Sequence, residues 1–228
     1  MQLIGNRQLL LDHVRKYNLD EILPDALIEV AELCLYEQGE SILTANEVMN
    51  YFYFFIGGKL KIFQVHENGR SLLIQFYSQF DSLGEVEFMN DVLTTCSVVA
   101  VKDSELIRIP FDSMRLFAKD HPPFLRYVIK SLSTKLIIAD QHHSYNLLNP
   151  VKNRLSSYLK AHLGEGNCLE LMDSFQEISE FIGTTYRQLH RAFQQLEDEG
   201  IIVKTHRTIK VSDPEALNKL AGHIYNIL

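Results

Sequence analysis

Four neighbouring side chains, Tyr186, Arg187, His190 and Arg191, are the part of this sequence best suited to chemistry with another molecule. Spaced along a helix they share one face, and no acidic residue falls between Glu180 and Glu197 to neutralise it. A guanidinium in that setting can make a bidentate hydrogen bond to a guanine edge, worth about 1 to 3 kcal/mol of discrimination between bases. Downstream, Lys204-Thr205-His206-Arg207-Thr208 is a second acid-free stretch. Its cations suit phosphate oxygens, which position a protein on a duplex without reading its sequence. An exposed arginine pair alone signifies only a solvated face, so the weight of this reading rests on the elements that hold the residues.

Those elements are legible. Ser174-Phe175-Gln176-Glu177 has the form of a capping box, in which the serine accepts from a free amide and the glutamate reaches back. Ile178, Phe181 and Ile182 give the helix that follows an apolar side, and Gly183 supplies the positive-φ residue for a tight turn. Thr184-Thr185 then offers a second cap, with Gln188 three residues after Thr185. Leu189, Ala192, Phe193 and Leu196 fall at i, i+3, i+4 and i+7, the buried stripe of a second helix. The pattern predicts a helix-turn-helix with the four candidate residues at the exposed start of its second helix. Residues 201–203 and 209–211 flank the basic stretch as a hairpin, like the wing of a winged helix.

Upstream, residues 33–109 read as short strands between turn signals: 51–56 before Gly57-Gly58, 60–65 before Asn68-Gly69, and 72–77 after it. Runs rich in β-branched and aromatic residues predict an antiparallel sandwich or barrel, so the fold class is α+β. From Pro122-Pro123 the pattern is helical, with Leu125, Ile129, Leu132, Leu136 and Ala139 in steps of four and three and His143 next in line. That is a heptad seam for self-association, with Val128 and Ile138 beside it for intramolecular packing. Asn149-Pro150 interrupts the helix and is the expected hinge. A further helix spans about 151–162, Gly164 to Asn167 form a turn, and Asp213-Pro214 open a terminal helix with Leu217, Leu220, Ala221, Ile224 and Leu228 on one face.

The 228 residues carry a formal charge of −7, which by itself speaks against a nucleic-acid partner. The excess is uneven. Residues 1–149 hold 13 basic and 19 acidic side chains, against 8 and 9 in 150–213. Weak binding to random DNA is expected, with affinity resting on base contacts. The longest stretch free of Asp, Glu, Lys and Arg has eleven residues, where a membrane-spanning helix needs about 20 apolar ones. Arg7 interrupts the first apolar residues and no cleavage site follows, so a cytoplasmic protein without membrane contact is expected. Cys34, Cys96 and Cys168 fit neither a disulfide framework nor metal-ligand spacing. An enzyme of the metal-dependent barrel type would need clustered histidines, yet 33–109 hold only His66. His142-His143 could bind metal across a dimer, and otherwise form a partly solvated pair. The expectation is no enzyme, no metal and no cofactor.

The run Gln176-Glu177-Ile178 to Gly183, Arg187, Arg191, Leu196-Glu197 and Gly200-Ile201-Ile202 resembles the winged-helix signature of the cyclic-AMP receptor protein and fumarate-nitrate regulator family. Gly58, Gly69, Asp81, Gly84 and Glu85 fall where that family's β-roll has its turn glycines and Gly-Glu pair, and the resemblance runs from about 35 to 212. It implies a β-roll effector domain with N-terminal helices over 1–110, a short helix and a long dimerisation helix over 111–149, and a winged helix-turn-helix with an extra C-terminal helix over 150–228. Tyr186, Arg187, His190 and Arg191 would face bases, with Tyr186 a departure from the family's residues. Ser174, Gln176, Thr185 and Arg207 would approach phosphates, joined by Thr184, Gln188 and Lys204. The implied protein is a homodimeric transcription regulator on a two-fold symmetric site of double-stranded DNA, with RNA polymerase as the partner that activation requires. The alternative is a small-molecule-responsive module acting on a protein partner. Gly84, Glu85, Thr95 and Cys96 form the candidate effector pocket. Cyclic-AMP binders carry an Arg-Ser pair ten residues after the Gly-Glu, and here Thr95-Cys96 stands in its place. A buried phosphate would lack its cation, so another effector, or none, is expected. The N-terminal cysteine cluster of the oxygen-sensing branch is absent, and nothing suggests haem.

Overall fold

The computed structural model describes residues 1–65, 71–171, 174–206, 208–222 and 224. The expected turn at Asn68-Gly69, together with His66, Arg207 and Leu228, lies outside them. The chain divides within its longest helix into two compact units, Met1–Lys135 and Leu136–Leu228.

The first unit is an antiparallel roll. Strands β1 (Gln2–Ile4), β2 (Glu32–Tyr36), β3 (Ser41–Leu43), β4 (Tyr51–Val65), β5 (Ser71–Tyr77), β6 (Asp81–Leu83) and β7 (Ser97–Pro110) join one sheet in the order β1-β2-β7-β4-β5, with β3 on β7 and β6 on β4. Helices α1 (Arg7–Lys16) and α2 (Asp25–Glu29) lie between β1 and β2, and α3 (Glu85–Asn90) follows β6. Helix α4 (Phe111–Phe117) leads to α5 (Pro122–Leu148). Two expectations need correcting. Gly57-Gly58 does not end a strand: β4 runs straight through, and its register against β7 shifts there instead. Gly58, at φ 104°, lies so close to the β7 backbone that a Cβ would meet Asp103 O at 2.5 Å. A glycine in a strand thus marks a bulge and a close approach. The N-terminus also contributes β1, an edge strand too short for a periodicity signal.

Aromatic rings fill the roll. Phe52, Phe54 and Phe55 are fully buried. Phe124, in the first turn of α5, packs edge-on to Phe52 and Phe88 with centroids 5.6 and 5.4 Å apart. Phe124 and Val128 are buried, while Ile129 and Leu136 on the seam are 63% and 71% exposed. The helix thus carries two apolar stripes, one spent on its own roll and one facing outward.

The second unit contains α6 (Val151–Ala161), β8 (Cys168–Glu170), α7 (Phe175–Phe181), α8 (Tyr186–Asp198), β9 (Ile202–Thr205), β10 (Thr208–Val211) and α9 (Pro214–Leu220), with a sheet ordered β8-β10-β9. The hairpin therefore gains a third strand. Helix α9 is capped by Asp213, which accepts from the Ala216 amide at 2.9 Å, but it stops at Leu220. Ala221 is extended, so the expected face through Ala221 and Ile224 does not form. The Gly222 amide instead donates to Ser157 Oγ at 2.8 Å, drawing the chain off the helical path. No helix among the described residues is long and apolar enough to cross a membrane.

Candidate nucleic-acid interface and effector pocket

Both predicted capping boxes form. Ser174 accepts from the Glu177 amide at 3.2 Å while Glu177 Oε2 accepts from the Ser174 amide at 2.7 Å. Thr185 accepts from the Gln188 amide at 3.3 Å, and Gln188 Oε1 accepts from the Thr184 and Thr185 hydroxyls at 2.9 and 3.2 Å. A cap of this kind stabilises a helix by about 1 kcal/mol and fixes its first residue. In α8 the cap sets Tyr186 as that residue, and Leu189, Ala192, Phe193 and Leu196 are all buried. The opposite face is thereby forced outward. Arg187, His190 and Arg191 are exposed, Tyr186 is 50% exposed, and neither arginine has a carboxylate partner among the described residues.

The remaining candidates differ in how free they are. The His190 ring stacks on Phe175 with centroids 5.1 Å apart and lies 4.8 Å from Tyr186, which holds both at the start of the exposed face. Lys204 Nζ stands 4.4 Å from the centre of the Phe175 ring, a cation–π contact that ties the hairpin to α7. Gln176 Nε2 donates to Glu180 at 2.8 Å. Phe175, which sequence reasoning passed over, thus organises two candidate contacts. Its signal was its place at i on the apolar stripe that continues through Ile178 and Ile182 at i+3 and i+7. Arg207 lies outside the described residues.

At the candidate effector site Glu85 is engaged by side chains of the protein itself. Glu85, 3% exposed, accepts from Ser82 Oγ at 2.6 Å, Ser131 Oγ at 2.8 Å and Lys135 Nζ at 2.6 Å. Lys135 also pairs with Asp81 at 3.0 Å and donates to Ser82 O at 2.8 Å, and the Tyr127 hydroxyl donates to Ser82 Oγ at 2.8 Å. Burial opposes the ammonium charge of Lys135, yet the Tyr77, Glu85 and Asp81 oxygens raise its pKa above the usual lysine value. Burial likewise raises Asp81 against the pull of Lys135. Lys135 was missed because its spacing reads as helix surface. Its partners come from a strand and the start of a short helix some fifty residues away.

Thr95 and Cys96 sit apart from this network. Buried Glu87 accepts from the Thr95 amide at 2.9 Å and its hydroxyl at 3.0 Å, so a carboxylate already holds the donors that an anion would use. Burial raises the Cys96 thiol, and pushes Cys34, whose Sγ donates to Leu106 O at 3.1 Å, up to about 12. Neither is an activated thiolate. No group of three or more His, Cys, Asp or Glu that could hold a metal ion occurs among the described residues.

Comparison with known proteins agrees with this architecture. Residues 33–121 match the family model of the cyclic nucleotide-binding domain, and 153–220 match that of the Crp-like helix-turn-helix domain. The cyclic AMP receptor protein of Thermus thermophilus is 22% identical over 187 residues, covering 82% of this chain and 87% of that protein. The crystal structure of a Crp/Fnr-family transcriptional regulator from the same organism superposes with a TM-score of 0.69 at 20% identity, covering 83% of this chain and 97% of the other. The c-di-GMP-responsive global regulator CLP of Xanthomonas campestris superposes with a TM-score of 0.71 at 16% identity, covering 82% and 96%. With a cyclic-nucleotide-binding roll followed by a Crp-like helix-turn-helix, the chain belongs to the Crp/Fnr family of transcription regulators.

Proposed function

We propose that this regulator reads a two-fold symmetric DNA site as a homodimer, through Arg187 and Arg191 with Tyr186 beside them, and responds to something other than cyclic AMP. The observation that carries the DNA reading is the pair of exposed guanidinium groups without carboxylate partners among the described residues, on a helix whose start is fixed by the Thr185–Gln188 cap. His190 contributes as part of the ring stack on Phe175. Ser174, Thr184, Thr185 and the hairpin around Lys204 and Arg207 are the phosphate contacts of this reading. Gln176 and Gln188 serve it with the amide and oxygen that their own helices leave over.

The outward stripe of α5 supports the dimer. Leu125 and Leu132 are partly exposed, and Ile129, Leu136 and Ala139 are exposed, which is apolar surface at heptad spacing. Two copies joined along it would present two α8 helices, which enter successive major grooves when they lie about 34 Å apart.

The effector reading follows from hydrogen-bond capacity already in use. A cyclic nucleotide would have to displace Lys135 from Glu85 and a carboxylate from Thr95, and would meet threonine at position 95 in place of an arginine. CLP, of the same fold, is c-di-GMP-responsive, so the roll does not fix its ligand.

Selection of bound sequences from random DNA at two salt concentrations tests the reading. Recovery of one symmetric motif at both is the expected result. Binding that gives no motif and vanishes at the higher salt would show that only phosphates are being touched. Calorimetric titration of cyclic AMP should give no heat of binding.

A further inference from the structure

A helix-turn-helix has a weak point at its corner. The first helix ends before the second begins, so its last carbonyls have no amide partner along the chain. Here the Ile182, Gly183 and Thr184 amides return to Ile178, Glu180 and Ser179, which leaves the carbonyls of Ile182 and Gly183 without a main-chain donor among the described residues. Gly183 turns the chain at φ 63°, and α8 starts three residues later. Whatever holds these carbonyls sets the direction in which α8 leaves.

Two side chains from elsewhere in the second unit hold the corner. Arg154 of α6, 9% exposed, donates from Nη1 to Ile182 O at 2.6 Å and to Gly183 O at 2.8 Å. Asn146, near the end of α5, donates to Phe181 O at 3.4 Å. A Cβ placed on Gly183 would lie 3.5 Å from both Arg154 Nη1 and Asn146 Nδ2, so the two donors close on the corner together. They stand on either side of Asn149-Pro150. That junction is also bridged by Tyr145, whose hydroxyl lies 2.7 Å from Ser157 Oγ, and by the ring contact of His142 with Phe181 at 5.8 Å.

We propose that Arg154 and Asn146 are positioning residues for DNA recognition, clamping the corner carbonyls so that the end of the long helix, α6 and the recognition helix move as one piece. Asn149-Pro150 is then a fixed corner, and reorientation of α8 requires either bending of α5 above Ile138 or release of the clamp. The inference rests on the DNA reading proposed above. It adds that base selectivity depends on two side chains remote from the exposed face.

The test measures affinity for the selected site and for a scrambled duplex of equal length at one salt concentration, for the full chain and for Arg154→Met, Arg154→Lys and Asn146→Ala. Loss of a charge-assisted donor pair should lower the ratio of specific to scrambled affinity by about tenfold in Arg154→Met and about threefold in Asn146→Ala. Scrambled affinity should stay within about twofold, because the phosphate-facing cations remain. Arg154→Lys, which keeps charge and donors, should recover part of the ratio. If both affinities fall together, in step with the folded fraction, the two residues serve stability alone and the proposal is overturned. Should Arg154→Met fail to fold, Asn146→Ala decides the matter by the same ratio. A wild-type chain with no preference for any duplex would instead overturn the DNA reading, which the wild-type control separates from failure of the clamp.

Discussion

The roll and the helix-turn-helix treat their charged groups in opposite ways. Around Glu85 the charged groups meet one another within the same unit, with Lys135 serving Glu85, Asp81 and Ser82 O at once. On α8, Arg187 and Arg191 meet no carboxylate among the described residues. Burial explains the contrast. A charge taken out of water costs several kcal/mol unless paired, so the roll must satisfy its own, whereas an exposed guanidinium stays hydrated until a partner displaces the water.

The sharpest way to break this contrast is to remove charge from each side and ask which property falls. The Arg187→Ala, Arg191→Ala variant should lose about 1 to 3 kcal/mol of specific binding for each arginine, read by anisotropy on the selected duplex. Its denaturant midpoint should change little, since surface substitutions usually stay within about 0.5 kcal/mol. Lys135→Met should do the reverse to stability, leaving Glu85 and Asp81 buried without a cation at a cost of about 3 kcal/mol in chemical unfolding. Adding Glu85→Gln and Asp81→Asn to that variant should restore much of it, because the uncompensated charge is then gone. A Lys135→Met protein as stable as the parent would mean that solvent reaches the network.

Smaller effects sharpen the comparison. Thr185→Ala removes a cap from α8 and should cost about 1 kcal/mol, with specific DNA affinity falling more than affinity for scrambled duplex. The smallest effect concerns pH. Burial against Phe181 lowers the pKa of His142, opposed by a hydrogen bond with the Ile224 main chain. The unfolded chain therefore takes up the proton first, and stability present above the ordinary histidine pKa is lost as the pH falls through it. Thermal melts at pH 7 and pH 5 should show this loss, and His142→Leu should reduce it.

The exposed face of α8 was legible because it is local. Both capping boxes, the turn glycine and the buried stripe of α8 are patterns within a few residues, and each formed as expected. The long helix was legible for the same reason. Other features depended on residues distant in sequence. Gly57-Gly58 looks like a turn until the close approach of β7 shows a bulge, and α9 looks longer until Ser157 takes the Gly222 amide. The ring stack on Phe175, the Lys135 network and the Arg154 clamp join residues from separate elements, which no periodicity reports.

The sequence by itself therefore determined the order of elements, the exposed arginines of α8 and the lack of a phosphate-binding arginine at Thr95, because helix period, caps and residue type act over one or two turns. Tertiary structure alone decided which charges are spent. Lys135, Asp81 and Glu85 are as charged in sequence as Arg187 and Arg191, and only their placement in the fold turns the first three into a closed network and leaves the last two open to a partner. Desolvation draws that line, and it depends on what the fold brings together.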